Sequence, residues 1–296
     1  KSPLIIYAPS NSKSAVQNHI MCEYLASKGY RVVSVGSAGH ETLKRYDQSK
    51  ATLAQVRDME FIVKYISDSM KLDFSDIGLL GFSTGSLATI IYQTRTPEVK
   101  AIASLDGSHE YAFYFILNKI EEFSFDKENT SYLMIANNYK DISIFPYYSS
   151  ISVENKYLYK MTAIDHNGFI SYWQQFAMCS KDSNVNSTTE SYTVLCNSVN
   201  SFFNATLKSE IENPKDFEIL NNELIQKDST DYNIAAQLLN QILQEGIDST
   251  ISGFKSNEKL YKGKAKMINV VGRMFLGNDN DIAIKIFTAN TEIHPD

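Results

Sequence analysis

Five residues, Gly81-Phe82-Ser83-Thr84-Gly85, have the types and spacing to do chemistry. A serine hydroxyl is a poor nucleophile at neutral pH. It attacks a carbonyl only when a histidine takes its proton and backbone N–H groups hold the oxyanion that develops. Upstream, Ile77, Leu79 and Leu80 form a short apolar run suited to a buried strand, and downstream Leu87, Ala88, Ile90 and Ile91 recur at helical spacing. Ser83 is therefore expected on a sharp turn between a strand and a helix. Such a turn forces an unusual backbone conformation, and side chains two residues to either side would strike the neighbouring strand and helix. Glycine at 81 and 85 removes both collisions, so the spacing has a steric cause.

A base and an acid are needed next. His166 is the leading histidine, because it follows a predicted strand and precedes Asn167-Gly168, a turn that presents a ring to substrate. His40 and His109 also fall in loops near strand ends, whereas His19 lies in the first helix and His294 at the chain end. The acid must accept the other ring N–H, fixing the tautomer and stabilising the imidazolium. Asp106 stands directly at a strand end; Asp141, the alternative acid, lies several polar residues beyond the next strand. Asp165 adjoins His166, and neighbouring side chains diverge.

These groups need a scaffold. Apolar runs at Pro3–Tyr7, Arg31–Val35, Ile77–Leu80, Ala101–Leu105, Tyr132–Ala136 and Leu158–Ile164 read as strands. Between them, Val16–Lys28 (ending on Gly29), Ala51–Met70, the segment after Ser83 and Tyr111–Phe123 read as helices. Short β-branched runs alternating with helices predict βα units on a parallel sheet, with ligand loops at the carboxyl ends of the strands. Ser10, Ser83, Asp106, Asp141 and His166 would then share one rim. Lys181–Glu190 reads as a polar loop and Tyr192–Leu207 as a helix closing this domain; beyond Asn213-Pro214 only helical patterns are expected.

Composition narrows the class. The 296 residues are 43% hydrophobic, enough for a sizeable core. A net charge of -6, with no cluster of basic residues among aromatics, disfavours nucleic acid as a partner. No apolar run long enough to span a membrane is present. The chain starts on Lys1 and enters a strand at once, so we expect that residues upstream were removed; export to a periplasm or the medium is compatible with this. Cys22, Cys179 and Cys196 lack metal-site spacing, and no cofactor or metal is expected, although a Cys179–Cys196 bridge is compatible with the sequence.

The motifs GFSTG, LASKGYRVVSV (Leu25–Val35), LDGS (Leu105–Ser108) and DHNGF (Asp165–Phe169) make the chain resemble the α/β-hydrolases, and within them the platelet-activating-factor acetylhydrolase-like and dienelactone-hydrolase-like serine esterases. The resemblance covers roughly Pro3–Leu207 and implies nucleophile, acid and histidine in that chain order. That order gives Ser83, Asp106 and His166; the acetylhydrolase-like group places its acid where Asp106 stands, and many other members where Asp141 stands. The implied oxyanion donors are the backbone amides of Thr84 and, by position, Asn11. Where relatives carry a His-Gly pair, this chain has Pro9-Ser10.

The expected organisation is an α/β-hydrolase domain over residues 1–213 and a helical extension over 214–296. Within the extension, Ala265–Asp296 resembles a tetratricopeptide helix pair, with Gly272, Phe275, Ala283, Phe287 and Pro295 near the motif's marked positions. It would serve as a brace or as a groove for a protein partner. Three functional readings stand: a cofactor-independent hydrolase of small-molecule carboxylic esters, a non-catalytic binding protein of the same fold, and a peptidase or amidase on the same triad. Aromatic clusters at Tyr111–Phe115 and Phe145–Tyr148 either line an acyl pocket or fill a core.

Overall fold

A computed structural model of the chain describes residues 1–10, 13–36, 48–110, 130–137, 145–153, 155–161, 164–179, 185–208, 223–224, 230–276 and 279–295, with the single positions 117, 120 and 123. These residues form two compact units. The first comprises Lys1–Gly107, Glu122–Lys140 and Val153–Ile225, and the second Ser108–Glu121, Asp141–Ser152 and Gln226–Asp296.

The first unit is built on β1 (Leu4–Ala8), α1 (His19–Ser27), β2 (Arg31–Ser34), α2 (Gln48–Asp68), β3 (Ile77–Phe82), α3 (Thr84–Arg95), β4 (Val99–Leu105), β5 (Ser131–Asn137), β6 (Lys156–Met161) and β7 (Glu223–Leu224). The sheet order is β2-β1-β3-β4-β5-β6-β7. Pairings from β2 through β6 are parallel, and β7 joins the β6 edge antiparallel. β1 and β3 are buried along their whole length, as strands covered by helices on both faces must be. That is why they read as unbroken apolar runs rather than as alternating ones.

Several helix boundaries differ from the sequence expectation. The first predicted helix is split, with one 3₁₀ turn at Ala15–Asn18 leading into α1. Gly29 beyond it has φ +90°, the left-handed position that ends a helix. In α2 the helical stripe expected from Val56, Met59, Ile62, Val63 and Ile66 is buried at Val56, Met59 and Ile66 and half-buried at Ile62 and Val63, while Phe61 and Tyr65 stack on each other at the exposed face. The segment read as a polar loop up to Glu190 is helical from Val185 and runs to Phe203, with a π turn at Asn204–Lys208. Thr189 and Glu190 there are exposed, and the low intrinsic propensity of this Ser-, Thr- and Asn-rich opening is outweighed by the burial of Tyr192, Leu195, Val199, Phe202 and Phe203. β7 was not expected either, because two residues pairing through backbone groups carry no periodic signal. The predicted helix Tyr111–Phe123 lies almost wholly outside the described residues.

The second unit is helical: Pro146–Ser150, Thr230–Glu245, Ile247–Ser256, Glu258–Tyr261, Ala265–Phe275 and Asn280–Ile293. The last two form an antiparallel pair, in which Asn290 donates back to the Ala265 carbonyl (3.0 Å) and to Asn269 Oδ1 (2.8 Å). No described helix is long and apolar enough to cross a membrane.

Candidate active site

Ser83 has φ 55° and ψ -120°, a region that non-glycine residues seldom occupy. It is held there from both sides. β3 pairs with β4 through Phe82 and Leu105, the Ser83 N–H donates to the Leu105 carbonyl (3.0 Å), and the Ser83 carbonyl accepts from Ser86 N–H (3.1 Å) as α3 begins. A Cβ on Gly81 would lie 2.5 Å from Ser86 Cα, and one on Gly85 would lie 2.5 Å from the Pro9 carbonyl oxygen. Both expected collisions are therefore present, the first with the helix and the second with the chain leaving β1.

One strand over, Asp106 occupies the equivalent place after β4, with φ 43° and no exposure. Its N–H donates to the Ile135 carbonyl at 2.7 Å. Its carboxylate accepts from Asn137 N–H (3.3 Å) and Asn137 Nδ2 (2.6 Å), and it pairs with His166 Nδ1. His166 opens a 3₁₀ turn, His166–Phe169, that is capped by the Asp165 carboxylate accepting from Gly168 N–H (2.9 Å). The imidazole also lies against Phe82, the residue before Ser83, at 4.7 Å between ring centres. Its side chain is 37% exposed against 1% for Asp106. The arrangement joins a buried, hydrogen-bonded carboxylate to a histidine open to solvent beside the turn that bears the serine.

On the other flank, Ser10 Oγ lies 3.4 Å from Thr84 Oγ1, so the chain leaving β1 abuts the start of α3. The Ser10 N–H donates to Gln17 Oε1 (2.9 Å), and the Pro9 carbonyl accepts from Gln55 Nε2 (3.0 Å). Asn11 lies outside the described residues, as do Asp141, His40 and Tyr111–Phe115.

No protein-family model and no curated protein matches this sequence. Among solved structures it is similar to a ferulic acid esterase from Streptomyces cinnamoneus, with TM-score 0.55, 16% identity and coverage of 71% of this chain and 68% of that one. It is also similar to a dienelactone hydrolase from Anabaena variabilis, with TM-score 0.50, 12% identity and coverage of 70% and 87%. The chain has the α/β-hydrolase fold.

Within this α/β-hydrolase fold the other candidate groups have structural tasks. His109 is fully buried, edge-on to Tyr147 (5.1 Å between ring centres), and burial pushes its ring down to about 3. Next to it, the buried Glu110 carboxylate accepts from the N–H groups of Tyr147 (2.9 Å) and Tyr148 (3.0 Å). Phe145, Tyr147 and Tyr148 are themselves buried. His19 bonds the Val16 carbonyl and Gln175 at the surface. All three cysteines are free thiols, with Cys179 exposed and Cys196 buried, so the bridge compatible with the sequence is not formed. Among the described residues no group of three or more His, Cys, Asp or Glu converges that could hold a metal ion.

A cavity of about 520 Å³ is lined by Val16, Gln17, His19, Ile170, Tyr172 and Gln175 among others, but not by Ser83, Asp106 or His166. The polar residue that sequence reasoning missed at the site is Asn137. It ends β5 beside Asp106 on the neighbouring strand, and only strand register could have revealed it.

Proposed function

We propose that this protein is a serine hydrolase that cleaves carboxylic esters through an acyl-enzyme. In this reading His166 Nε2 takes the Ser83 proton as Oγ attacks the ester carbonyl. The carbonyl π pair moves onto oxygen, which is held by the amides of Thr84 and Asn11. Collapse expels the alkoxide, His166 returns the proton to it, and the acyl group stays on Ser83. Water then repeats the sequence to release the acid. Asp106 stays ionised, holding the ring with Nδ1 protonated and stabilising the imidazolium.

The observation that carries the reading is the pairing of the buried Asp106 carboxylate with the ring of His166, which itself lies against the residue preceding a strained Ser83. Two further facts support it. The Ser10 N–H is already committed to Gln17, so the next amide along that loop is that of Asn11. A structural neighbour is named as an esterase, which favours an ester over an amide substrate. Turnover of p-nitrophenyl acetate tests the proposal: wild type should release nitrophenolate and Ser83→Ala should not, whereas equal release by both would refute it.

A further inference from the structure

Residues Gln17 and Asn18 are consecutive, buried, and hydrogen-bonded in opposite directions to the two loops that serve the site. They stand where the 3₁₀ turn Ala15–Asn18 meets α1, and Asn18 leaves helical geometry there, with φ -128° and ψ 42°. Gln17 Oε1 accepts from the Ser10 N–H (2.9 Å) and from the Tyr7 hydroxyl (3.3 Å). This ties down the chain leaving β1 just before Asn11. Asn18 reaches the other way, more than a hundred residues along the sequence. Its Nδ2 donates to the Phe169 carbonyl (3.1 Å), the last residue of the turn that His166 opens. Its Oδ1 accepts from Ser171 N–H (3.0 Å), Ser171 Oγ (2.9 Å) and Tyr192 Oη (2.5 Å). Ser171 Oγ in turn accepts from Ile20 N–H at the head of α1 (2.9 Å).

Either side chain could be an apolar residue if filling the core were its only task. Instead the chain buries two carboxamides side by side, and each satisfies a loop backbone group, Asn18 Nδ2 adding only a long contact to Met21 Sδ (3.9 Å) within α1. We propose that Gln17 and Asn18 are a positioning pair for catalysis, with Gln17 fixing the chain that leaves β1 at Ser10 and Asn18 fixing the histidine loop. One junction then serves both the start of α3, where the Thr84 amide is the oxyanion donor beside Ser83, and the base. This rests on the serine-hydrolase reading above. Gln17 acts through Ser10, whose Oγ lies 3.4 Å from Thr84 Oγ1, and Asn18 acts through Phe169 on the His166 ring; neither touches substrate.

The test uses the full chain, p-nitrophenyl acetate kinetics, and mass spectrometry of fluorophosphonate labelling at Ser83. Gln17→Leu removes the acceptor for Ser10, and kcat should fall roughly a hundredfold with KM nearly unchanged, because a displaced oxyanion donor weakens only the transition state. Gln17→Glu keeps an acceptor oxygen in place and should rescue most of that loss. Asn18→Leu should move the midpoint of the acid limb of the pH–rate profile, which Gln17→Leu should leave in place. Equal kcat in wild type and Gln17→Leu, or equal losses in Gln17→Leu and Gln17→Glu that track a lowered melting temperature, would overturn the inference. If Asn18→Leu does not fold, the two Gln17 variants decide. Failure of the underlying reading looks different: wild-type Ser83 itself would remain unlabelled, and the positioning role would fall with it.

Discussion

The two units handle awkward backbone in opposite ways. In the sheet unit, Ser83 (φ 55°) and Asp106 (φ 43°) hold left-handed conformations without being glycine, at the ends of adjacent strands. Such conformations cost about 1–3 kcal/mol each and persist only where surrounding structure over-determines them. Here the sheet register, the Ser83 and Asp106 backbone hydrogen bonds, and the close approach of α3 to β1 do so. In the helical unit, the described residues at positive φ are Gly246 (83°) and Gly263 (79°), which adopt it at little cost. Gly272 there serves packing: a Cβ would come 2.5 Å from the Phe287 ring. Apart from Lys71 (φ 54°), on the exposed stretch after α2, the described non-glycine residues at positive φ are the two whose side chains must be aimed, and none of the three lies in the helical unit.

If that contrast is right, substitutions in the two units should differ in kind. The largest effect belongs to Asp106→Asn, which keeps the shape of the strained turn but not the acceptor for His166 Nδ1. By analogy with other triads, kcat should drop about 10⁴-fold with the melting temperature nearly unchanged. Asp141→Asn should leave the rate alone, and the reverse pattern would move the acid to residue 141.

Next comes Gly85→Ala. The added methyl meets carbonyl oxygens at the end of β1, which cannot move without tearing the sheet, so unfolding free energy should fall by about 3 kcal/mol or more. Gly272→Ala meets only an aromatic ring that can turn aside; denaturant titration should show a loss of about 1 kcal/mol, with ester turnover intact. Similar losses at both positions would erase the contrast.

An effect of another kind, conditional on pH, concerns acid. Burial holds the His109 ring at about 3 instead of its ordinary 6.5, so below pH 6.5 the unfolded chain binds a proton that the folded chain refuses. Stability should therefore decline as pH falls from 6.5 towards 3, at up to about 1.4 kcal/mol per pH unit. His109→Leu should remove that part of the slope, which denaturant titration across this range would register. The smallest effect is chemical. Burial pushes the Cys22 and Cys196 thiols up to about 12, so iodoacetamide at neutral pH should modify only the exposed Cys179, as peptide mapping would show.

Much of this was legible in the residues because it is locally determined. The strands at Leu4, Ile77, Val99 and Ser131 are built on the apolar runs Leu4–Tyr7, Ile77–Leu80, Ala101–Leu105 (broken only by Ser104) and Tyr132–Ala136, and a turn that demands glycine on both sides announces itself as Gly81-x-x-x-Gly85. Asp106 and His166 follow strand ends, so chain order carried them to one rim. What stayed hidden depends on register and on contacts between distant segments. Asn137 meets Asp106 because β4 and β5 are neighbours, and Asn18 meets Phe169 across 151 residues. Neither pairing leaves a pattern along the chain. The helix from Val185 was missed for a related reason: its opening residues are polar, and the apolar stripe that stabilises it begins at Tyr192.

The central claim is that Ser83 is an activated nucleophile. Fluorophosphonates react with a serine activated by a histidine and an oxyanion hole, and barely with an ordinary hydroxyl. Mass spectrometry of the labelled, digested protein should find the adduct on the peptide containing Ser83 and nowhere else, and should lose it in Ser83→Ala and in His166→Ala. A folded wild-type protein that stays unlabelled, or an adduct on another serine, would contradict the account.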